Sequence, residues 1–370
     1  YTVNAFTDYT YETKSGHYIK GMVGFNSELN RYRGISASRK GLITGDVPSL
    51  PTAVDDMQNN GEINEWATAG FFGRINYNYK ERYLAEVNLR YDGTSRFIGD
   101  QRWGVFPSFS LGWNVAKEDF WGDLNQYVST LKLRGSWGEL GNQNTTSLYP
   151  FYPNMDIKTK DGEWLVNGQK PTTAVMPGMV SDMLTWERVR SWNVGVDFGA
   201  LNNRLTGSFD YFNRKTLDMV GPAPELPVIL GADVPKINNA DMESYGFELE
   251  VSWRDRIGNV NYGIKGVLSD ARQKVTRYPN ATDDFSNWYA GKMSGEIWGY
   301  TTIGIAKSQQ EMDAYLATLP NGGQDAIGSG WGAGDIMYAD LNGDGKIDGG
   351  AGLLSDSGDK SIIGNSTPRY

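Results

Sequence analysis

Between Arg74 and Gly93 the chain reads RINYNYKERYLAEVNLRYDG. Its odd positions are Ile75, Tyr77, Tyr79, Tyr83, Ala85, Val87, Leu89 and Tyr91; its even positions are polar or charged from Arg74 to Asp92, with Leu84 the one clear exception. Side chains alternate across a β-strand with period two, so this pattern predicts two strands hinged at Lys80-Glu81-Arg82. One face is greasy and aromatic, the other charged. The same alternation recurs at 1–11, 19–25, 103–115, 131–137, 192–198, 205–211, 245–253 and 260–268. About ten strands result, most about 8–13 residues long, where the usual globular strand has about 5–6.

The predicted connections are sorted by length. Lys80–Arg82, Leu201–Arg204 and Asp255–Asn259 are tight turns, and 116–128 is a longer turn on the same side. The alternate connections are long: 30–65, 92–102, 140–185, 215–242 and everything from 271 onward. Short turns at one end and long loops at the other are the pattern of an outer-membrane barrel. Aromatics also crowd the strand ends: Tyr77, Tyr79 and Tyr83 beside one turn, Trp103 and Trp253 at strand termini, Trp186 and Trp192 near another. Such rims sit at lipid headgroup depth in membrane barrels. The greasy face then meets lipid, and Arg90, Lys132, Arg134, Asp197, Asp210, Glu248 and Glu250 face a watery lumen. A soluble β-sandwich of the lectin or adhesin kind, apolar side inward, explains the alternation equally well. Strand length, loop sorting and aromatic rims favour the barrel. One helix is predicted in the last long loop, where Ser308-Gln309-Gln310-Glu311 forms a capping box. Met312, Tyr315, Leu316 and Leu319 follow at helical spacing, and Pro320-Asn321-Gly322 ends it. It reads as a short helix packed on a loop domain, or as one that meets a partner.

Composition narrows the function. The 370 residues contain no cysteine, which excludes a disulfide scaffold and any Cys-ligated metal site. A net charge of −9 argues against a nucleic-acid partner, which asks for a basic face. No apolar run is long enough for a transmembrane helix, but a membrane β-strand needs only about 9–11 residues with every second one apolar. A start at Tyr1 without Met and a stop at NSTPRY read as a piece of a longer polypeptide or a mature chain. Catalytic signals are weak. His17 is the only histidine, which leaves a His-based triad or zinc site without partners. Glu248 and Glu250 would lie about 7 Å apart by strand rise, near an inverting glycosidase pair, but adjacent acids on a polar strand face are common. There is no P-loop or dinucleotide fingerprint, and Asp55-Asp56 and Asp283-Asp284 read as solvated charges. The chain is read as a non-enzyme.

Longer motifs carry more. FFGRINYNYKERYLAEVNLRYDGTSRF, RWGVFPSFSLGWNVAKEDFW, LKLRGSWGELGNQ and WERVRSWNVGVDFGALNNRLTGSFDYFNRKTLDM follow one another in order, and GDIMYADLNGDGKID and KSIIGNSTPRY come later. Together they resemble the barrel of a SusC/RagA-type TonB-dependent transporter over essentially the whole chain. The resemblance implies an all-β antiparallel transmembrane barrel of about 22 strands plugged by an N-terminal domain, of which residues 1–370 would hold about 10–12 strands. The plug, the TonB box and the last strands would lie outside this chain, and 271–362 would be a long extracellular loop region. The resemblance further implies an outer-membrane location in a Bacteroidota-like bacterium and a SusD-like surface lipoprotein as lid. It also implies energy from TonB, and oligosaccharide or peptide fragments as cargo. Aromatics in the long loops, Trp164, Tyr149–Tyr152, Trp288 and Tyr289, are read as stacking on sugars, packing against the lid, or simply folding the loops.

The stretch Asp340-Leu341-Asn342-Gly343-Asp344-Gly345-Lys346-Ile347-Asp348 has calcium-loop spacing. Oxygen side chains stand at the first, third, fifth and ninth positions, Lys346 offers its carbonyl at the seventh, and Gly345 gives the sharp turn. The twelfth position is Ala351, where an EF-hand needs an acid. The family resemblance implies an acid just before a stretch such as SIIGN, which is Asp359 here, across an inserted glycine-rich segment. Structural Ca²⁺ pinning a surface loop is one reading; a metal-free Asp/Asn/Gly turn is the other.

Overall fold

The computed structural model describes residues 1–145, 147–223 and 234–368. Ten long strands form one sheet: β1 (Thr2–Glu12), β2 (His17–Leu42), β3 (Ala53–Tyr79), β4 (Tyr83–Thr94), β5 (Trp103–Asn114), β6 (Val128–Asn142), β9 (Glu187–Ala200), β10 (Leu205–Val220), β11 (Asn238–Ile257) and β12 (Val260–Arg277). Their order in the sheet is their order in the chain. Three two-stranded sheets lie in the long connections. They pair β7 (Ile157–Lys158) with β8 (Thr173–Ala174), β13 (Glu296–Tyr300) with β16 (Lys360–Asn365), and β14 (Thr302–Ile305) with β15 (Ile336–Tyr338). The helix predicted after Ser308 is α1 (Gln309–Leu316).

The alternation sets the register. Val87 of β4 lies opposite Ile75 of β3 and Phe109 of β5, and Tyr83 lies opposite Tyr79 and Trp113. Each greasy residue therefore meets greasy neighbours across the strands, which is the unit of sheet stabilisation. The hinge at 80–82 works through the left-handed backbone of Lys80 and Glu81 (φ 50° and 55°), and Leu201, Asn202 and Asn203 turn the same way. Left-handed residues match the twist of two flanking strands in a tight hairpin.

By internal packing the residues divide into two units: Tyr1–Trp121, Arg134–Val189 and Ala223–Asn238 in one, and Gly122–Leu133, Arg190–Pro222 and Asn239–Tyr370 in the other. In neither does a second sheet cover the greasy strand faces among the described residues. Phe71, Ile75, Val87, Leu89, Phe109 and Leu111 of the first unit are exposed, as are Val194, Phe209 and Ile264 of the second. A sandwich would bury these residues first, so the sandwich reading fails. Most of the large buried apolar side chains lie instead in the loops: Phe97, Leu184 and Trp186 with the strand-end Phe106 in the first unit, and Phe285, Met312, Leu319 and Ile347 in the second.

Two expectations need correction. The segment 30–65 is not an irregular loop. β2 and β3 stay paired from Leu29↔Ala67 to Leu42↔Ala53, well past the ends of β1 and β4, so a two-stranded arm projects from the sheet. About 13 residues per strand give it a reach of about 43 Å. The arm mixes polar and apolar residues on both faces, with Tyr32, Ile35, Met57 and Ile63 exposed among charged and amide neighbours, so no period-two signal marked it. Arg31–Glu65 and Lys40–Asp56 ion pairs brace it at 2.7 and 2.6 Å. Trp186 is likewise not a rim residue. It is buried, with its ring edge-on to Phe97 and Phe106 at 5.8 and 5.3 Å and its indole N–H donating to the Arg102 carbonyl.

Candidate functional site

Two faces and one folded loop carry the chemistry. In the first unit, the greasy face of β1–β5 carries no charged residue between two aromatic rows. The lower row is His17, Tyr79, Tyr83 and Trp113, directly opposite one another on β2–β5. His17 packs tilted against Tyr79 at 4.5 Å and its Nδ1 lies 3.0 Å from the Tyr77 hydroxyl, so the single histidine belongs to this rim. At the upper end Tyr91 stacks on Trp103 at 4.8 Å, and Trp103 lies opposite Gly93. Tyr83 to Gly93 is ten residues, about 33 Å along the strand. At a strand tilt of about 40° that projects to about 25 Å, the height of a membrane barrel's apolar band. In the second unit Trp192 packs on Tyr211 at 5.5 Å, and the Arg204 guanidinium lies over Trp253 at 5.6 Å.

The opposite face is a polar lattice. Arg74 donates to Asn88 at 2.6 Å, Asn88 donates to Glu86 at 2.8 Å, and Arg90 grips Asp92 through two nitrogens at 2.8 and 2.9 Å. Lys20 pairs with Asp8 at 3.1 Å. In the second unit Glu250 pairs with Lys265 at 2.7 Å, so one of the two acids weighed as a catalytic pair is neutralised on its own wall. Each of these charges has a partner across or along the wall, the arrangement of a solvated surface.

The connection after β12 is a folded cap with its own core. Ser308 Oγ accepts the Glu311 N–H, and the Glu311 carboxylate reaches back to the Lys307 N–H. Thus the capping box forms, with its return arm one residue earlier than expected. Met312 is fully buried, and the Tyr315 hydroxyl donates to the Tyr338 carbonyl at 2.5 Å. Residues 291–294 attach the cap to the top of β12: Val275 N–H bonds to Lys292, Gly291 N–H to Val275, and Ser294 N–H to Gln273. No sequence signal marked this docking, because it uses backbone groups alone. Asp283 and Asp284 are structural here, accepting bonds from Ser355 and Ser286. Tyr289 donates to Glu296, and burial together with that bond pushes its hydroxyl up to about 12. Of the loop aromatics, Tyr149 is tied to the Glu65 carbonyl and clusters with Phe151 and Tyr152, whereas Trp164 and Trp288 remain exposed.

Within the cap, the 340–348 loop is a run of side-chain-to-backbone turns. Asp340 accepts the Gly343 and Gly345 N–H groups at 2.6 and 2.9 Å, Asn342 accepts Asp344 N–H, and Asp344 accepts Lys346 N–H. The Lys346 ammonium lies between Asp348 and Asp344 and holds the Asp348 carboxyl below the usual carboxylate range. Asp359 is completely buried behind the loop, where its two oxygens accept Leu341 N–H at 2.7 Å and Asp348 N–H at 2.9 Å. Hard oxygen donors at these spacings suit Ca²⁺ in kind. Among the described residues, however, no three acids converge on one point, and an ammonium already serves two of them.

The sequence pattern of the family described as TonB dependent receptor-like, beta-barrel matches residues 1–351. A TonB-dependent receptor of Formosa agariphila is 28% identical over 98% of this chain and 35% of its own length. The TonB-dependent receptor SusC of Bacteroides thetaiotaomicron is 31% identical over 79% of this chain and 28% of its own. The RagAB peptide importer superposes with a TM-score of 0.72 at 18% identity, over 99% of this chain and 37% of the importer chain. The chain thus spans about a third of the length of the curated relatives it matches.

Proposed function

This chain belongs to the TonB-dependent receptor-like β-barrel family, and from that premise we propose that it supplies part of the wall and the extracellular cap of a SusC/RagA-type outer-membrane importer. The observation that carries the reading is the charge-free greasy band of about 25 Å between two aromatic rows, backed by a polar face on which Lys20 pairs with Asp8 and Arg90 with Asp92. The greasy face meets lipid and the polar face lines the lumen. Tight turns lie at the periplasmic end; the arm and the cap stand at the cell surface. Cargo is caught above the lumen, beneath a SusD-like lipoprotein, and moved inward by TonB-driven displacement of a plug, with no covalent chemistry on the substrate. Support for the lid comes from the relatives, one named SusC and one a RagAB importer. Oligosaccharides or peptides are the cargo class this reading supports, the RagAB relative being a peptide importer. Exposed Trp164, in the connection between β6 and β9, is a stacking platform on this reading, and the exposed ring of Trp288 in the cap already carries the Lys292 ammonium at 5.9 Å.

The 340–348 loop is read as a Ca²⁺ clasp. Asp340, Asn342, Asp344 and Asp348 would hold the ion through side-chain oxygens and Lys346 through its carbonyl, with Asp359 bracing the loop from behind. Bound there, the ion supplies charge neutralisation that the Lys346 ammonium otherwise provides. The proposal as a whole is tested by extracting the native protein from outer membranes. A polypeptide about three times the present chain that needs detergent and carries a lipoprotein with it supports the importer. A detergent-free soluble protein without a lipoprotein refutes it.

A further inference from the structure

The longest of the tight-end connections, 115–127, is not a loose turn. Val115–Lys117 form one 3₁₀ turn with Val115 buried, and a second begins at Asp119 and kinks at Gly122. Its start is clamped from three directions. Glu118 accepts the Trp113 indole N–H at 2.9 Å and bonds the Tyr83 hydroxyl; both rings belong to the lower aromatic row of the greasy face. Arg82 pairs with Glu118 at 3.3 Å and also with Asp119, and Lys117 pairs with Glu81. These bonds tie the start of the turn to the lower edge of the greasy face. Just past the clamp, Phe120 is presented with 67% of its surface uncovered. A phenylalanine held out on an ordered turn forfeits its hydrophobic burial if it faces water. The same residue placed among lipid headgroups and upper acyl chains recovers much of that.

We propose that residues 118–121 are an interfacial anchor: the turn lies in the periplasmic leaflet of the outer membrane, with Phe120 inserted at the boundary between phospholipid headgroups and acyl chains. The occupant is a phospholipid surface because the patch is continuous with the lipid-facing band through Tyr83 and Trp113. The charged clamp sits at headgroup level, where Arg82 and Lys117 remain hydrated. The anchor fixes the depth of the wall at its lower rim. The inference rests on the reading that the strands cross the membrane.

The test uses nitroxide labels in the full-length protein reconstituted in phospholipid vesicles, one at a time at Phe120→Cys, Val87→Cys and Lys14→Cys. The absence of native cysteine from this chain keeps its labelling unambiguous. Val87 marks the middle of the greasy band, and Lys14 an exposed polar turn between β1 and β2. Expected is an oxygen-to-nickel-chelate accessibility ratio at Phe120 several-fold above that at Lys14 and below that at Val87. A Phe120 label as open to the chelate as Lys14, with Val87 still in lipid, overturns the anchor and leaves the barrel standing. A Phe120 label shielded from both reagents also overturns it, since protein would then cover the turn. A Val87 label open to the chelate refutes the membrane reading itself, and the anchor with it.

Discussion

Replacing Val87 by arginine separates lipid from water at the greasy face. Val87 lies four residues from Tyr83 on β4, between Ile75 and Phe109, and is 54% exposed. Four residues are about 13 Å along the strand, or about 10 Å in depth at a tilt of about 40°, which is near the middle of a band about 25 Å tall. Arginine at that depth costs about 2–4 kcal/mol, whereas at the rim it costs about 0–1. At about 1.4 kcal/mol per tenfold, Val87→Arg should raise the unfolding constant by about 30- to 700-fold, and Tyr83→Arg far less. Ser110→Arg is the matched control on the opposite face, where Ser110 stands beside Glu86; a solvated position changes stability by about 0.5 kcal/mol at most. Equilibrium denaturation of the full-length protein in lipid vesicles, followed by the heat-dependent shift in gel mobility, reads all three. Were the greasy face wet, Val87→Arg would also stay within about 0.5 kcal/mol. Equal stability of Val87→Arg and Ser110→Arg would therefore refute the reasoning.

The cap should be separable from the wall. Met312→Ala removes a fully buried side chain and should cost about 2–5 kcal/mol of local stability, seen as protease cutting within 278–362 while the heat-dependent mobility of the barrel is unchanged. Tyr289, raised to about 12 and neutral in its bond to Glu296, has an ordinary value of 10.0. Its contribution is complete below about pH 10 and is lost as pH rises toward about 12. Burial raises Tyr300 and Tyr315 as well, so phenolate absorbance titration should show a late-titrating fraction that Tyr289→Phe reduces by one tyrosine. If the clasp binds Ca²⁺, an ion concentration about 100-fold above the dissociation constant stabilises the cap by about 2.7 kcal/mol. Asp340→Ala with Asp344→Ala should erase that gain in a thermal melt with and without a chelator; an equal gain in the variant refutes the clasp.

The wall was legible because each of its residues faces one of two environments, so parity alone encodes it. Tyr83, Val87 and Leu89 alternate with Leu84, Glu86 and Asn88, and only Leu84 breaks the code. α1 was legible from local chemistry, since Ser308 and Glu311 are three residues apart and need nothing else. The arm was not, because polar Arg31 and Ser36 stand on opposite faces, as do apolar Tyr32 and Ile35, which leaves no period to read. Trp186 was misplaced for a different reason. A tryptophan at a strand end signals a rim only if nothing covers it, and Phe97, far off in sequence, does. Asp359 was found through family resemblance, but its complete burial, with only backbone N–H donors, could not be read from spacing.

That the sheet follows chain order bears on how such a wall is made. β3 and β4 meet across three residues, β1 and β2 across four, and β9 and β10 across another four. Hairpins this local close at little entropic cost and within microseconds. β6 and β9 wait on the longest intervening stretch between wall strands, whose closure costs about 2.4 kcal/mol more than a three-residue turn. The cap, with its own core in Met312 and Ile347, needs no strand of the wall to condense. Assembly can therefore run as a zipper of neighbouring hairpins entering the membrane in sequence order, with its longest pause at the β6–β9 seam and the cap folding on its own clock outside.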